Sequence, residues 1–390
     1  MDAKSPASEQ AKPSRQPPTW RPDRCDRIAL VLQGGGALGA YQGGVYQAMH
    51  EAGLEPDWVS GVSIGAVNAA IIAGNPRDKR LEKLRGFWER ITERRIWSCM
   101  PEGDIYRQTT SAMNAAFTCL LGVTGFFRPQ MPGPLFSAAG APTATSFYDT
   151  APLKETLREF VDFSLINERK LRFAVGAVNV LTGNFTYFDN ANEDIASEHV
   201  VASGSLPPML PMEKVGTDYY WDGGVVSNTP LQHLLHQADH LNSLVFQVDL
   251  YSARGALPRD IFDVLERQKD IMYSSRTRYT TDVYRQLHEW KTRLHAVLQK
   301  VPDEFLTDDE RYLRHQLSDM PEITILQLIY QQKAYENHAK DYEFSDTSMR
   351  EHWASGYEDT RRTLTQREWL EMPPPGAGIV VHDVHHKYVA

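Results

Sequence analysis

The class of fold follows from residues 28–65, which read IALVLQGGGALGAYQGGVYQAMHEAGLEPDWVSGVSIG. The run Ile28–Gln33 is short, apolar and partly β-branched, and it is followed by glycine, which is typical of a buried strand. Helical spacing follows over Ala37–Ala52. A second strand, Trp58–Val62, precedes an Ala- and Ile-rich helix predicted over Ile64–Ala73. This alternation of strand and helix predicts a parallel α/β unit.

The rest of the chain divides into a strand-bearing part and a polar, helix-forming part. Further strands are predicted at Leu171–Val180, Phe185–Asp189 and Ser243–Leu250. From about residue 260 the pattern changes to polar helices, predicted at Asp282–Lys300, Asp308–Ser318 and Thr347–Trp369. The final His382–His386 could suggest a metal site, but a solvated tail is predicted because no further ligand is placed by the sequence.

The first glycine motif, Gly34-x-Gly36-x-x-Gly39, fits two kinds of anion site. It follows a strand and precedes a helix, as in an NAD(P)-binding oxidoreductase. That class also needs an acidic residue at the end of the second strand. Glu55 and Asp57 come before that strand, and Ser63 follows it. The motif therefore fails the second requirement of a dinucleotide site, while an oxyanion site stays open.

The second motif, Gly61-Val-Ser63-Ile-Gly65, has the G-x-S-x-G pattern of a nucleophile elbow. The strand-to-helix context that such an elbow requires is predicted here. The positive end of the following helix and the Ile64 N–H would favour a developing oxyanion. A simpler alternative is that Ser63 only caps the helix.

An activated serine needs a proton acceptor, and the sequence offers two kinds. His233, His236 and His240 follow acidic residues, as a triad would require, but their spacing is that of one helical stripe. Asp222, in Trp-Asp-Gly-Gly after an aromatic run, could instead take the proton directly if burial raises its basicity. A simple turn is the common structure for Asp-Gly-Gly.

Four blocks in order resemble the patatin-like phospholipases. They are Gly34–Gly39 (GGGALG), Gly61–Ala69 (GVSIGAVNA), Ala202–Pro207 (ASGSLP) and Asp222–Pro230 (DGGVVSNTP). The resemblance implies a three-layer α/β/α sandwich with a mainly parallel central sheet. It also implies a Ser–Asp dyad, with Ser63 as nucleophile and Asp222 as general base.

The same resemblance implies the oxyanion hole and one departure from the family. The amides proposed to hold the oxyanion belong to Gly34, Gly35, Gly36, Ala37, Leu38, Gly39 and Ile64, and the motif glycines are Gly61, Gly65, Gly223 and Gly224. Many family members carry Arg or Lys where this chain has Leu38. A charge from that position is absent, which leaves neutral esters open beside phospholipids.

From these features we expect a lipid acyl hydrolase that needs no metal or organic cofactor. The expected organisation is a disordered tail over 1–26, the hydrolase domain over 27–255 and a helical C-terminal extension over 256–390. A non-catalytic lipid-binding scaffold and an acyltransferase remain alternatives. The oligomeric state, head group and acyl preference stay open.

Composition restricts the location and partners of the chain. The net charge of −9 argues against nucleic acid as a partner. The three cysteines have no paired spacing and no apolar stretch is long enough to span a bilayer, so a cytoplasmic location is expected.

Between Gln108 and Tyr148 the only charged residue is Arg128. This segment is predicted to be a buried helix with an irregular loop, or else an apolar lid at a lipid surface.

Overall fold

The computed structural model of the protein describes residues 19–92, 104–237, 241–318, 320–333, 335–336, 339–383 and 385. The strands are β1 (Arg27–Leu32), β2 (Trp58–Gly61), β3 (Arg128–Pro129), β4 (Tyr148–Asp149), β5 (Arg172–Asn179), β6 (Phe185–Asp189), β7 (Glu213–Val215), β8 (Asp218–Asp222), β9 (Ser243–Asp249), β10 (Ile323–Ile329) and β11 (Ile379–Asp383). The α-helices are α1 (Ala40–Glu51), α2 (Ile64–Ala73), α3 (Arg77–Thr92), α4 (Asp104–Leu121), α5 (Ala151–Phe160), α6 (Phe163–Asn167), α7 (Ser197–Ser203), α8 (Leu231–His236), α9 (Ile261–Tyr273), α10 (Thr277–Leu298), α11 (Asp308–Gln316) and α12 (Asp346–Thr365).

A mixed sheet in the order β11-β10-β9-β1-β2-β5-β8-β7 runs through the described residues, and β6 also pairs with β5. The strands from β11 to β5 pair in parallel. The pairs β5–β6, β5–β8 and β7–β8 are antiparallel. The predicted mainly parallel sheet is therefore confirmed, with one antiparallel edge. Strands β3 and β4 form a separate two-stranded ribbon.

Helices cover both faces of this sheet, because its central strands are apolar on both sides. In β1, Ile28, Leu30 and Leu32 belong to the core cluster that also contains residues of α1, α2 and α12. The alternate residues Ala29 and Val31 belong to a second cluster, which α8 completes. This alternation follows from the period of two along a strand. The result is the three-layer α/β/α arrangement expected from the sequence.

The C-terminal part supplies two strands as well as the predicted helices. Strand β10 pairs with β9, and β11 pairs with β10, so the sheet crosses residue 255. Helix α12 packs on α1, where Trp353 is 8 % exposed and its Nε1 donates to Gln47 at 2.7 Å. The domain boundary at residue 255 stays a prediction.

The prediction of a solvated tail is wrong for His382 and Asp383, because both lie in β11. The His382 ring stacks on Trp369 with centroids 5.1 Å apart. Val384 and His386 fall outside the described residues.

Among the residues that the structure does describe, no helix is long and apolar enough to cross a bilayer, and no cluster of three metal-ligating side chains occurs.

Most of the predicted N-terminal tail also lies outside the described ranges. Its last residues contact the sheet domain: the Trp20 N–H donates to Gly53 O at 2.9 Å. The Arg21 guanidinium pairs with Asp57 at 2.9 Å.

Candidate active site

Ser63 lies on the turn that joins β2 to α2. Its backbone has φ 57° and ψ −125°, a conformation that residues with a side chain rarely adopt. The Ser63 N–H lies 3.1 Å from both the carbonyl oxygen and the Oγ of Ser203. The strained turn is thus held by α7, and it presents the Ser63 side chain at the start of a helix.

The glycines that flank Ser63 are required by close backbone contacts. A Cβ on Gly61 would lie 2.2 Å from the carbonyl oxygen of Gly65. A Cβ on Gly65 would lie 2.3 Å from the carbonyl oxygen of Leu32, the last residue of β1. No side chain fits at either distance, so the G-x-S-x-G spacing follows from the tightness of this turn.

Asp222 ends β8 and is 1 % exposed. Its Oδ1 accepts a hydrogen bond from the Gly224 N–H at 2.7 Å, and its own N–H donates to Ser205 O at 3.0 Å. Burial raises the pKa of the Asp222 carboxyl to about 7, while hydrogen bonds from the Ser63 hydroxyl and the Gly224 N–H oppose that rise. A carboxylate with this pKa is a proton acceptor near neutral pH.

The glycine loop after β1 lies beside Ser63 and is tied to the Asp222 turn. Asn228 binds Gly34 twice: the Gly34 N–H donates to Asn228 O at 3.3 Å, and Asn228 Nδ2 donates to Gly34 O at 3.0 Å. Within the part of the chain that the structure describes, the N–H groups of Gly35 and Gly36 have no protein acceptor. These two amides are available to an anionic oxygen.

Gly36 also marks the approach of the C-terminal part to the loop. Its φ is +55°, and a Cβ there would lie 2.3 Å from the carbonyl oxygen of Asp341. Asp341 belongs to the 3₁₀ turn Lys340–Tyr342. This turn therefore packs directly on the glycine loop.

Three of the other residues predicted for the oxyanion hole, Ala37, Leu38 and Gly39, do not line the pocket, whereas Ile64 does. Ala37, Leu38 and Gly39 form a 3₁₀ turn that leads into α1, and the Leu38 side chain is fully buried in the core. The Leu38 N–H donates to Gly35 O at 3.2 Å. Ile64 starts α2 and lines the pocket at Ser63.

One pocket contains both Ser63 and Asp222, and we call it the serine pocket. Its glycine-loop and turn residues are Gly34, Gly35, Gly36, Gly204, Gly224 and Asn228. Its apolar side chains are Ile64, Val67, Phe126, Phe127, Leu153, Leu206, Met209, Leu210 and Phe344. Its other lining residues are Tyr148, Tyr251, Tyr273, Asp341 and Tyr342. An apolar wall beside a few polar groups is typical of a site for an acyl chain.

Of the histidines considered as alternative bases, His233 and His236 do not line this pocket. His233 Nε2 lies 2.9 Å from Asp189 Oδ2, and its ring stacks on Tyr187 with centroids 4.1 Å apart. His236 is in the last turn of α8 and does not line the serine pocket. His240 falls outside the described residues.

The acidic residues considered for a dinucleotide are already engaged. Glu55 accepts from Arg80 at 2.8 Å, and Asp57 pairs with Arg21. Both precede β2, so neither is at the carboxyl end of that strand, where a ribose would lie.

Three residues that contribute to the site were not predicted from the sequence: Asn228, Tyr273 and Asp341. Asn228 belongs to the fourth quoted block, so the block itself was the available signal. Tyr273 and Asp341 come from the C-terminal part and belong to no motif that was recognised. No sequence pattern indicates them, because they reach the site only through the tertiary contact of that part with the glycine loop.

The fold and the pocket define a three-layer α/β/α protein in which a serine elbow faces a buried carboxyl group. A family model described as patatin-like phospholipase matches residues 30–235. A second model, described as patatin phospholipase, matches residues 271–376. The chain belongs to the patatin-like phospholipase family, a family of lipid hydrolases.

Three relatives illustrate the range of similarity. A patatin-like phospholipase domain-containing protein of Caenorhabditis elegans is 37 % identical over 81 residues, which are 18 % of this chain and 6 % of that protein. The lysophospholipase nte1 of Aspergillus terreus is 52 % identical over 67 residues, 16 % of this chain and 4 % of that protein. An uncharacterized NTE family protein of Mycobacterium tuberculosis is 24 % identical over 205 residues, 53 % of this chain and 44 % of that protein.

The chain thus matches less than half of the length of each of these relatives. Among solved structures, VipD from Legionella pneumophila is similar with a TM-score of 0.38 and 15 % identity, over 87 % of this chain and 67 % of that one.

Proposed function

We propose that this protein hydrolyses carboxylic esters of lipids through an acyl-enzyme, with Ser63 as the nucleophile and Asp222 as the general base. The observation that carries the proposal is that Ser63 and the buried Asp222 line one pocket, in which burial raises the pKa of the Asp222 carboxyl to about 7. A serine hydroxyl is a weak nucleophile until a base takes its proton. In this site the acceptor is a carboxylate, and no histidine is needed.

The reaction takes two half-reactions of similar geometry. Asp222 accepts the Ser63 proton while Oγ attacks the ester carbonyl, and the oxyanion is held by the free N–H groups of Gly35 and Gly36. Asp222 then gives the proton to the departing alcohol. Water then attacks the acyl carbon while Asp222 takes its proton, the bond to Ser63 Oγ breaks as Asp222 returns that proton to Oγ, and the acyl chain leaves as a carboxylic acid. Each oxyanion donor is typically worth about 10²–10³ in rate.

Covalent labelling tests the nucleophile. A fluorophosphonate probe should add one label to the folded protein, and peptide mass spectrometry should place it on Ser63. The Ser63→Ala variant should take up no label, and neither should the denatured protein. Labelling of another residue, with Ser63 unmodified, would reject the proposed nucleophile.

The charge-poor segment 108–148 is proposed as the surface that meets the lipid. One face of α4 exposes the apolar side chains of Met113, Phe117, Leu120 and Leu121. The following loop exposes Met131, Leu135 and Phe136, whose exposed fractions are 85–86 %. The same segment supplies Phe126 and Phe127 to the serine pocket. An exposed apolar surface on the segment that also lines the pocket suits a peripheral contact with a membrane, in a protein that we place in the cytoplasm.

Removing one apolar anchor tests this contact. Phe136→Asp should weaken binding to phosphatidylcholine vesicles about tenfold, since inserting a Phe side chain is worth about 1.5–3 kcal/mol. Co-sedimentation with sucrose-loaded vesicles measures the effect. Phe305→Asp is the matched control, because Phe305 is also exposed, by 72 %, but lies outside the segment. Equal losses in the two variants would contradict the proposed surface.

A further inference from the structure

Three tyrosine hydroxyls of the serine pocket have no hydrogen-bond partner among the residues that the structure describes. Tyr251, Tyr273 and Tyr342 all line the pocket, and Tyr251 is only 3 % exposed. None of their hydroxyls hydrogen-bonds to any residue that the structure describes. None of the three hydroxyls is a sealed, unpaired core atom, so they are open to the pocket, where a polar ligand can bind them.

The three side chains form one cluster beside the catalytic pair. The rings of Tyr251 and Tyr273 have centroids 5.4 Å apart. Gln33 fixes Tyr251, since its Oε1 accepts the Tyr251 N–H at 2.9 Å. Burial, together with the charges of Asp222 and Asp341, raises the pKa of Tyr273 to about 12. The hydroxyls therefore stay protonated at neutral pH and can both donate and accept hydrogen bonds.

The charge of the pocket lining is acidic. Asp222 and Asp341 line it, whereas no Lys, Arg or His side chain does among the described residues. A phosphate brought to this pocket meets the Asp222 carboxylate, the ion-paired Asp341 and no lining cation. In a partly desolvated site the repulsion between like charges amounts to several kcal/mol.

Two lysines lie behind the tyrosine rings, but each has a carboxylate partner. Lys340 Nζ is 5.9 Å from the Tyr251 ring centroid and 2.8 Å from Asp270 Oδ1, and it is 4 % exposed. Lys269 Nζ is 5.2 Å from the Tyr342 ring centroid and forms an ion pair with Asp341. Their charges are thus neutralised by carboxylates rather than directed at the pocket.

From these contacts we propose that the serine pocket selects esters whose alcohol part is uncharged and carries hydroxyl groups, such as acylglycerols. The hydroxyls of Tyr251, Tyr273 and Tyr342 bind the free hydroxyls of the alcohol, and a phosphate on it finds no lining cation, because Asp341 holds Lys269 in an ion pair. This inference rests on the proposed hydrolase function and names the class of leaving group. A site built to bind hydroxyls discriminates against alcohols that lack them.

Two substrates that differ only by a phosphate test the selection. 1-Decanoylglycerol and 1-decanoylglycerol 3-phosphate are compared in the same nonionic detergent micelles, at pH 8 and low ionic strength. The neutral ester should have a kcat/KM at least about tenfold higher. An equal or higher kcat/KM for the phosphate ester would overturn the proposal.

Two variants assign the selection to particular groups. Asp341→Asn removes the carboxylate and its ion pair with Lys269, so the preference for the neutral ester should fall at least about fivefold.

Tyr273→Phe keeps the ring and removes one hydroxyl. It should lower the ratio of kcat/KM for 1-decanoylglycerol to that for p-nitrophenyl decanoate about fivefold. The controls are Asp308→Asn and Tyr312→Phe on the exposed α11. Unchanged ratios in both pocket variants would overturn the assignment.

A binding measurement separates this inference from the proposed function. If p-nitrophenyl decanoate is not hydrolysed, the hydrolase proposal fails. The 1-decyl ether analogues of the two lipids cannot be cleaved, and titration calorimetry of the wild type still decides the selection. Tighter binding of the uncharged ether supports it, and equal or tighter binding of the phosphate ether overturns it.

Discussion

Replacing Ser63 by Ala should lower kcat/KM for a p-nitrophenyl ester by about 10⁴-fold or more. The reason is that the hydroxyl is the bond-forming group, so its loss leaves only substrate binding and the oxyanion donors. The fold should persist, because the Ser63 contacts to Ser203 come from the backbone N–H. Initial rates and circular dichroism of the purified variant measure both effects.

Ser318→Ala is a suitable control for this loss, since Ser318 is exposed at the end of α11 and its Oγ donates to His315 O at 2.7 Å. It should keep the wild-type rate. A Ser63→Ala protein that retains more than about a tenth of the activity would show that another residue attacks the ester. The proposed dyad would then have to be abandoned.

The first half of the fold follows from local sequence patterns. The run that predicted a strand at Ile28–Gln33 is β1, and the helices predicted after each glycine motif are α1 and α2. These elements could be predicted because apolar periodicity and glycine positions are local signals. Strands β5, β6 and β9 were found by the same signal.

Strands β10 and β11 could not be predicted in this way. The run ITILQLI of β10 has strand character, but it lies among polar helices that dominate the pattern of its region. Its assignment depends on pairing with β9, which is distant in sequence. Nothing local indicates that Ile323 lies opposite Ser243.

The same limit applies to the site. Ser63 was identified from a turn motif, and Asp222 from its block, and the structure brings both into one pocket. Tyr273 and Asp341 reach that pocket only because the C-terminal part folds back over the glycine loop. The C-terminal part, whose role the sequence left open, thus supplies three of the side chains on which our substrate proposal depends, namely Tyr273, Asp341 and Tyr342.

Asp222→Asn should lower kcat/KM about 10³-fold and remove its pH dependence, because the amide cannot take the Ser63 proton. In the wild type the rate should rise with pH and level off above the Asp222 pKa of about 7. It should be about tenfold lower at pH 6 than at pH 8, since only the ionised carboxylate acts as a base. Initial rates from pH 5 to pH 9 measure the profile.

The same substitution should stabilise the protein at alkaline pH. Burial raises the pKa of Asp222 from its ordinary value of 3.8 to about 7, so the folded state holds this proton more tightly than the unfolded state. Its contribution to stability is therefore present below pH 3.8 and is lost as the pH rises through about 7. The wild type carries a cost on the order of 4 kcal/mol above that range, which an uncharged Asn avoids.

Denaturant unfolding at pH 5 and pH 9 measures this effect. The gain in the free energy of unfolding for Asp222→Asn should be larger at pH 9 than at pH 5, and the control Asp308→Asn should be neutral at both. If the variant is inactive but no more stable than the wild type at pH 9, the ionised Asp222 carboxylate does not destabilise the folded state, and the raised pKa is contradicted.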